Sequence, residues 1–461
     1  MHSNKARLAA RTVQLTQTAS KAQAAAATSK KQLGKANQTN LVFVDGARTP
    51  FCQSGTLYKS MMPHDLQKTA IKGLLYRTKV DPAEIGHVVC GTVIQEVKTS
   101  NVAREAALTA GIPKSVPANT VTMACISSNQ AITSCMGLLA AGECDLALAG
   151  GVEFMSDVPI RLGRRMRQTL LELPKAKGFG KKAALAGRFF SPSFWMPELP
   201  AVAEFSSNET MGHSGDRLCA AFAVSRREQD EFALRSHTLA DKAHKDGNLT
   251  DIIPTFVPGQ PDFVSKDNGV RVSTMEQMGK LKPAFVKPHG TITAANASFL
   301  TDGASACLLS TEKKAKELNL KPRAYLRDFL FVAVDPIDQL LLGPANAIPK
   351  LLDKAGLKIS DIDVWEIHEA FAGQVLANLK AMDSDYYAKN VQGRSGKLGQ
   401  IPVDKLNLWG GSVSIGHPFG ATGVRLVTHA VNRLHKEGGQ LAMVAACAAG
   451  GHGHAMIVER A

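Results

Sequence analysis

Four short stretches of the chain hold groups suited to covalent or proton-transfer chemistry at points where turns would fix them. In VTMACISSNQ, residues 121–130, Cys125 stands where an apolar run gives way to small polar residues. The pattern predicts a strand before it and a helix after it, with Ser127 and Ser128 in the helix's first turn. Free N–H groups and the positive end of a helix dipole favour a thiolate, so the expectation is a nucleophile of lowered pKa. The competing reading is a buried thiol serving as small apolar filler. GHPFGATG, residues 416–423, sets His417 among glycines that admit a close neighbour and beside a proline that fixes the chain's entry into a helix. ACAAGGHGHA, residues 446–455, ends a buried strand at Cys447 beside a glycine-rich turn whose N–H groups suit a developing oxyanion. IHEAFA, residues 367–372, offers His368 and Glu369 at another strand end. His368, His417, His452 and His454 form no HxxxH or HxxE pair, which argues against a metal centre.

The elements needed to position these groups alternate strand and helix through both ends of the chain, the pattern of an α/β fold. LVFVDGARTP reads as a first strand, HDLQKTAIKGLLYRT as a helix and HVVCGTVIQ as a strand, and residues 119–156 as strand, helix, turn at Gly142 and buried strand. The second half repeats this order without a gap: Leu74, Leu75, Glu84 and Ile85 answer Leu351, Leu352, Asp361 and Ile362 at one constant offset. An internal duplication follows, and it makes Cys125 and His417 open equivalent helices in the two halves. The division expected is a leader at 1–40, an N-terminal half at 41–160, an excursion at 161–290 that includes the helical run SRREQDEFALRSHTLADKAHKDG, a return at 291–320 and a C-terminal half at 321–461.

Charge is unevenly distributed. The net charge is +14, and residues 1–40 carry seven Lys/Arg with no Asp or Glu, which reads as an organelle transit segment or, alternatively, a basic tail. Residues 161–188 carry nine Lys/Arg against Glu172 alone and run into the aromatic, proline-bearing FFSPSFWMPELP. Such a stretch suits an anionic membrane surface or an acidic partner, or else is a solvated loop that meets substrate phosphates. The eight cysteines form no CxxC pair, consistent with reduced thiols, and no apolar run reaches the roughly 18 residues of a membrane span. Positive charge permits nucleic-acid contact, but no RNA-binding motif accompanies it, so nucleic acid is not expected as a primary partner.

Taken in order and at their intervals, VTMACISS, NVAR, LALAGGVEFMS, SRREQDEFALRSH, NASFLTDGASA, HEAF, GHPFGATG and CAAGGHG resemble the thiolase family, over nearly all of residues 41–461. The resemblance implies a thiolase fold: duplicated βα halves in a five-layered αβαβα sandwich, here with a long loop excursion. It implies thiolytic cleavage of a 3-ketoacyl-CoA, with coenzyme A as a substrate and no cofactor or metal. By position, Cys125 is the implied nucleophile, His417 its base, and Cys447 the acid and base that serves the enolate and the incoming thiol. The implied oxyanion hole uses the backbone N–H groups of Cys125 and Ala449, and Ser298 lies on the implied pantetheine path. His368 stands where the family usually has Asn in NEAF, holding a water or meeting the enolate directly. Two further departures are Ala449 in place of a common Gly, and ANASFLTDG in place of GNASGLNDG.

HEAF, the basic insertion and the acid-free leader together resemble the branch of the family found in mitochondrial trifunctional complexes. That implies long-chain substrates, a dimer of this chain with Arg104 near its interface, and an α subunit supplying hydratase and 3-hydroxyacyl-CoA dehydrogenase steps. It also implies a place on the matrix side of the inner membrane, with residues 161–200 as an amphipathic, aromatic-tipped contact. Two other readings compete. A condensing enzyme of the same fold does not need Cys447, whereas shuttling protons between an enolate and CoA does. A scaffold without activity is disfavoured by the complete set Cys125, His417 and Cys447.

Overall fold

The computed structural model describes Leu33, residues 39–201 and residues 203–461, so the leader expected at 1–40 lies almost wholly outside the described residues. The first half runs β1 (Leu41–Arg48), β2 (Cys52–Gln53), α1 (Pro63–Thr78), β3 (His87–Gly91), α2 (Val102–Ala110), β4 (Ala118–Val121), α3 (Ser127–Ala141) and β5 (Leu146–Glu153). An excursion with α4 (Arg164–Glu172), α5 (Phe179–Gly187), α6 (Met211–Ala221) and α7 (Arg226–Lys245) precedes β6 (Thr301–Thr311). The second half runs β7 (Ala324–Ala333), α8 (Gly343–Ala355), β8 (Val364–Ile367), α9 (Ala372–Met382), the single turn α10 (Ser412–Ile415), α11 (Thr422–Glu437), β9 (Leu441–Ala448) and β10 (His452–Arg460).

The strand order is β4-β3-β5-β6-β1-β7-β10-β9-β8, with β2 beside β6. Each half sheet pairs parallel at its outer end (β4/β3/β5, and β8/β9) and antiparallel toward the middle. The duplication read from sequence is therefore a structural one, with β3, β5, β6 and β1 answered by β8, β9, β10 and β7. Even β4 has a remnant counterpart, since Leu406 forms a parallel bridge to Trp365 of β8. The halves meet where Val42 and Phe43 of β1 pair with Tyr325 and Ala324 of β7.

Burial explains the layers. All eight residues of β5 and all eight of β9 are buried, as strands covered on both faces must be. One outer core holds Leu66, Ile71 and Leu74 of α1 against Val88 and Leu148. The other holds Ile348, Leu351 and Leu352 of α8 against Met443 and Ile457. Between the half sheets, Ile132, Cys135 and Leu139 of α3 share one cluster with Val424, Val427 and Val431 of α11. Outer helices, sheet, central α3/α11, sheet and outer helices make the five layers.

The excursion is more ordered than a loop. Its α7 begins at a capping box formed by Ser225 and Glu228, as the sequence pattern S-x-x-E predicts. Helices α6 and α7 lie against α9, and α7 against α10, so this insertion into the first half packs on the second. The fit at Gly373 of α9 is close: an added Cβ would lie 2.2 Å from Cys219 Sγ and 2.8 Å from Gln229 Oε1. By contrast α4, α5 and the residues that follow them leave Leu171, Phe179, Phe190, Trp195, Met196 and Leu199 exposed. Phe189, Phe194 and Trp195 pack together there, with Phe189 and Phe194 centroids 4.4 Å apart. No helix among the described residues is long and apolar enough to cross a membrane.

Candidate active site

Cys125 sits in the loop between β4 and α3, two residues before the helix begins. Ala124 just before it has φ +44°, an unusual left-handed conformation for a residue with a side chain. Ser127 holds this elbow closed: its Oγ accepts from Met123 N at 2.8 Å and donates to the Ala124 carbonyl at 2.6 Å. Nearby Gly91 is required, because a Cβ there would lie 2.5 Å from the Ser127 carbonyl carbon.

The electrostatics differ from the sequence expectation. Burial pushes the Cys125 thiol up to about 12, against the pull of the backbone N–H groups of Ala449 and of Cys125 itself. Glu153 and Glu204 raise it further. The helix-dipole argument for a lowered pKa therefore fails here, since loss of solvent outweighs the nearby donors. Those same two N–H groups are the pair expected to form an oxyanion hole. Cys447, the last residue but one of β9, is buried, and its thiol is raised by burial and then by the nearness of Cys125. The turn after it has Gly450 and Gly451 at φ +81° and +73°, with Gly450 N donating to Glu204 Oε1 at 3.0 Å.

His417 lies in the segment between α10 and α11 and is buried. Its Nδ1 is 2.7 Å from Thr422 Oγ1, its backbone N donates to Thr301 Oγ1 at 3.0 Å, and its Nε2 has no partner. His368, at the end of β8, has its ring centroid 4.1 Å from that of His417. Its Nδ1 is 3.1 Å from Ser412 Oγ, and its Nε2 is likewise unpartnered. Burial, then Arg425, holds His417 down at about 3. Burial, then His417 and Arg425, lowers His368 as well, so both rings are neutral at physiological pH.

Glycine-backed contacts bring the halves together. A Cβ on Gly151 would fall 1.8 Å from the Gly420 carbonyl oxygen, and one on Gly423 2.2 Å from Asn129 Oδ1. The Glu153 carboxylate ties the same seam, accepting from Val93 N (3.2 Å), Ile94 N (2.9 Å) and Gly420 N (3.0 Å). Glu369 is an anchor rather than a neighbour of the thiols: it accepts from Asn407 Nδ2 at 2.8 Å, Ser236 Oγ at 2.7 Å and Val413 N at 3.3 Å. Ser298 is half-buried in a strand-like segment that donates to the Ala370 carbonyl and bridges His417 through Leu300. Phe285 and Phe371 meet edge-on, centroids 6.0 Å apart. His454 packs on Phe331 at 4.6 Å, and no group of three or more His, Cys, Asp or Glu among the described residues is placed to hold a metal ion.

Sequence reasoning missed Glu153, Ser412, Thr422, Arg425 and Glu204. Glu153 had a signal, a charge closing an otherwise apolar strand, and Ser412 and Thr422 stand five residues either side of His417. Arg425 and Glu204 had none, because their partners are distant in sequence.

Comparison with known proteins gives the arrangement a context. The family described as Thiolase, N-terminal domain matches residues 41–313, and Thiolase, C-terminal domain matches residues 320–460. Trifunctional enzyme subunit beta, mitochondrial, of Mus musculus is 63% identical over 431 residues, covering 94% of this chain and 90% of that protein. Probable 3-ketoacyl-CoA thiolase of Caenorhabditis elegans is 62% identical over 439 residues, covering 95% and 97%. Among solved structures, human mitochondrial 3-ketoacyl-CoA thiolase in complex with CoA is similar with a TM-score of 0.76 at 31% identity, covering 92% of this chain and 98% of that one. The Bacillus anthracis acetyl-CoA acetyltransferase is similar with a TM-score of 0.77 at 32% identity, covering 92% and 99%.

Proposed function

The chain belongs to the thiolase family, and from that premise we propose that Cys125, His417, Cys447 and His368 divide the cleavage of one carbon–carbon bond among them. Its activity is that of a 3-ketoacyl-CoA thiolase of mitochondrial fatty acid β-oxidation, an acetyl-CoA C-acyltransferase. The observation that supports the residue roles best is the convergence on the Cys125 sulfur of two backbone N–H groups, its own and that of Ala449, with Cys447 alongside.

The Cys125 sulfur adds to the C3 carbonyl of the 3-ketoacyl-CoA as its proton passes to His417 Nε2, and the N–H groups of Cys125 and Ala449 hold the resulting oxyanion. Collapse breaks the C2–C3 bond, leaving the acyl group as a thioester on Cys125 and the electron pair on acetyl-CoA as its enolate. Cys447 gives that carbon a proton, and acetyl-CoA leaves. The Cys447 thiolate then takes the proton of an incoming CoA thiol, whose sulfur displaces Cys125 from the acyl group and releases the shortened acyl-CoA; Cys125 leaves as a thiolate and recovers its proton from the His417 imidazolium. Two neutral thiols and a neutral imidazole suit this sequence, because each charge arises only when a substrate group is present to accept it.

In finer detail, the substrates are long-chain 3-ketoacyl-CoAs and the chain works as a dimer within a trifunctional assembly. Its α-subunit partner supplies the hydratase and 3-hydroxyacyl-CoA dehydrogenase steps, and the complex lies on the matrix side of the inner membrane. Support comes from likeness to trifunctional subunits. The exposed apolar side chains of α4, α5 and residues 190–199 beside a basic block add to it. The test is CoA-dependent cleavage of 3-ketoacyl-CoAs from short to long, with Cys125→Ala as control. Cleavage favouring long chains and lowered roughly a thousandfold or more by the substitution is expected. Correctly folded protein that cleaves no chain length, even with its α-subunit partner added, would overturn the mechanism.

A further inference from the structure

His417 and His368 are two adjacent buried rings, and neither Nε2 has a hydrogen-bond partner among the described residues. Both rings are neutral, so each Nε2 is either an N–H donor or a bare lone pair, and the choice is set by what Nδ1 meets. For His417 the neighbouring hydroxyl allows both tautomers: the Pro418 carbonyl already accepts from Ala421 N and Thr422 N, so the Thr422 Oγ1 proton has two acceptors in reach, that carbonyl at 3.0 Å and His417 Nδ1 at 2.7 Å.

For His368 the neighbouring donor is fixed. Arg425 has no acceptor capacity and donates from Nη2 to Ser412 Oγ at 2.8 Å. The single proton of the Ser412 hydroxyl then has His368 Nδ1, 3.1 Å away, as its acceptor. If Nδ1 carried the proton instead, Ser412 would accept twice and leave its own proton buried without a partner. Arg425 is buried and kept in place by Glu366, 3.7 Å away, which is itself held by Arg433 at 2.7 Å.

We infer that Ser412 and Arg425 are positioning residues that hold His368 as its Nε2–H tautomer, so that His368 donates to the enolate oxygen. The inference rests on the thiolase reading of the site. It gives the residue that replaces the family's usual Asn a defined polarity: His368 supplies the N–H directly, because Arg425 leaves the Ser412 proton for its Nδ1.

The test is nuclear magnetic resonance of 15N-histidine-labelled wild-type protein, with His368→Asn and His417→Asn used to assign the signals. The expected result is a protonated Nε2 on His368; a protonated Nδ1 on His368 overturns the inference whether or not the protein turns over. A second arm uses kinetics. Ser412→Ala should lower kcat for thiolysis by roughly 10- to 100-fold with little change in KM. It should spare acetyl exchange between acetyl-CoA and pantetheine, which forms no enolate. In the His368→Asn background the same substitution should cost less than about twofold, because the Asn side chain takes no hydrogen bond from Ser412. Equal losses in both reactions, or an undiminished cost in the His368→Asn background, would sink the proposal. Absence of thiolysis in wild type with the His368 tautomer as stated would instead count against the thiolase reading.

Discussion

Cys125 at about 12 and His417 at about 3 are both uncharged near neutrality, so the nucleophile we propose is a thiol in the free protein and ionises only with substrate in place. Alkylation of Cys125 in the absence of substrate should then quicken about tenfold per pH unit between pH 7 and 10. Of the eight cysteines only Cys125 and Cys144 escape full burial. Iodoacetamide at pH 8.5 should take two thiols, acyl-CoA should protect one of them, and Cys144→Ser should leave only the protectable one. More than two reactive thiols, or no protection, would contradict the assignment of Cys125. At this scale the sequence marked the candidates, because Cys125, His417, Cys447 and His368 each stand beside glycines or small residues that admit a close neighbour. It misjudged the Cys125 pKa, since a motif shows a helix start and its donors but not how much protein packs around the sulfur. Ser412 and Thr422 were in plain view beside GHP; what they do depends on a count of hydroxyl protons that needs coordinates.

Among the elements, the strand ends hold the site together, and Glu153 is the clearest case. It closes β5 of one half and grips Gly420 of the other, with all three of its acceptor contacts filled by backbone N–H groups. Burial raises it from 4.5 to about 7. The native state thus keeps a proton the unfolded chain has released between those values, and stability falls as pH rises through that window. Measured against Glu153→Gln, wild-type unfolding free energy should decline by about 3 kcal/mol from pH 4.5 to 7. The amide also puts a donor against backbone donors, so turnover should drop as the Gly420 turn loosens. A wild-type-minus-variant difference that is flat with pH would refute this role. Elements were the most legible level: β1, α1, β5, α3 and the capped α7 follow apolar period, Gly142 and Ser225. The packing of α6 and α7 on the second half was not legible, because nothing in their own sequence states which neighbour their apolar faces meet.

For the whole molecule, charge and exposed apolar surface coincide at α4, α5 and the following turn. Phe179 and Phe190 are nearly 90% exposed, at 88% and 89%, beside a block with nine basic residues and one acidic one. Replacing both with Ser should weaken binding to cardiolipin-containing vesicles at least about tenfold and leave thiolysis of a soluble short-chain substrate unchanged. Unaltered vesicle binding would assign this surface to a protein partner or to none. The duplication, visible as one constant offset in sequence, reappears as a sheet that reads the same outward from β1 and β7. That join, made by Val42 and Phe43 with Tyr325 and Ala324, sews the two half sheets into one. Fraying there would loosen both halves together, as one seam carries two panels of cloth.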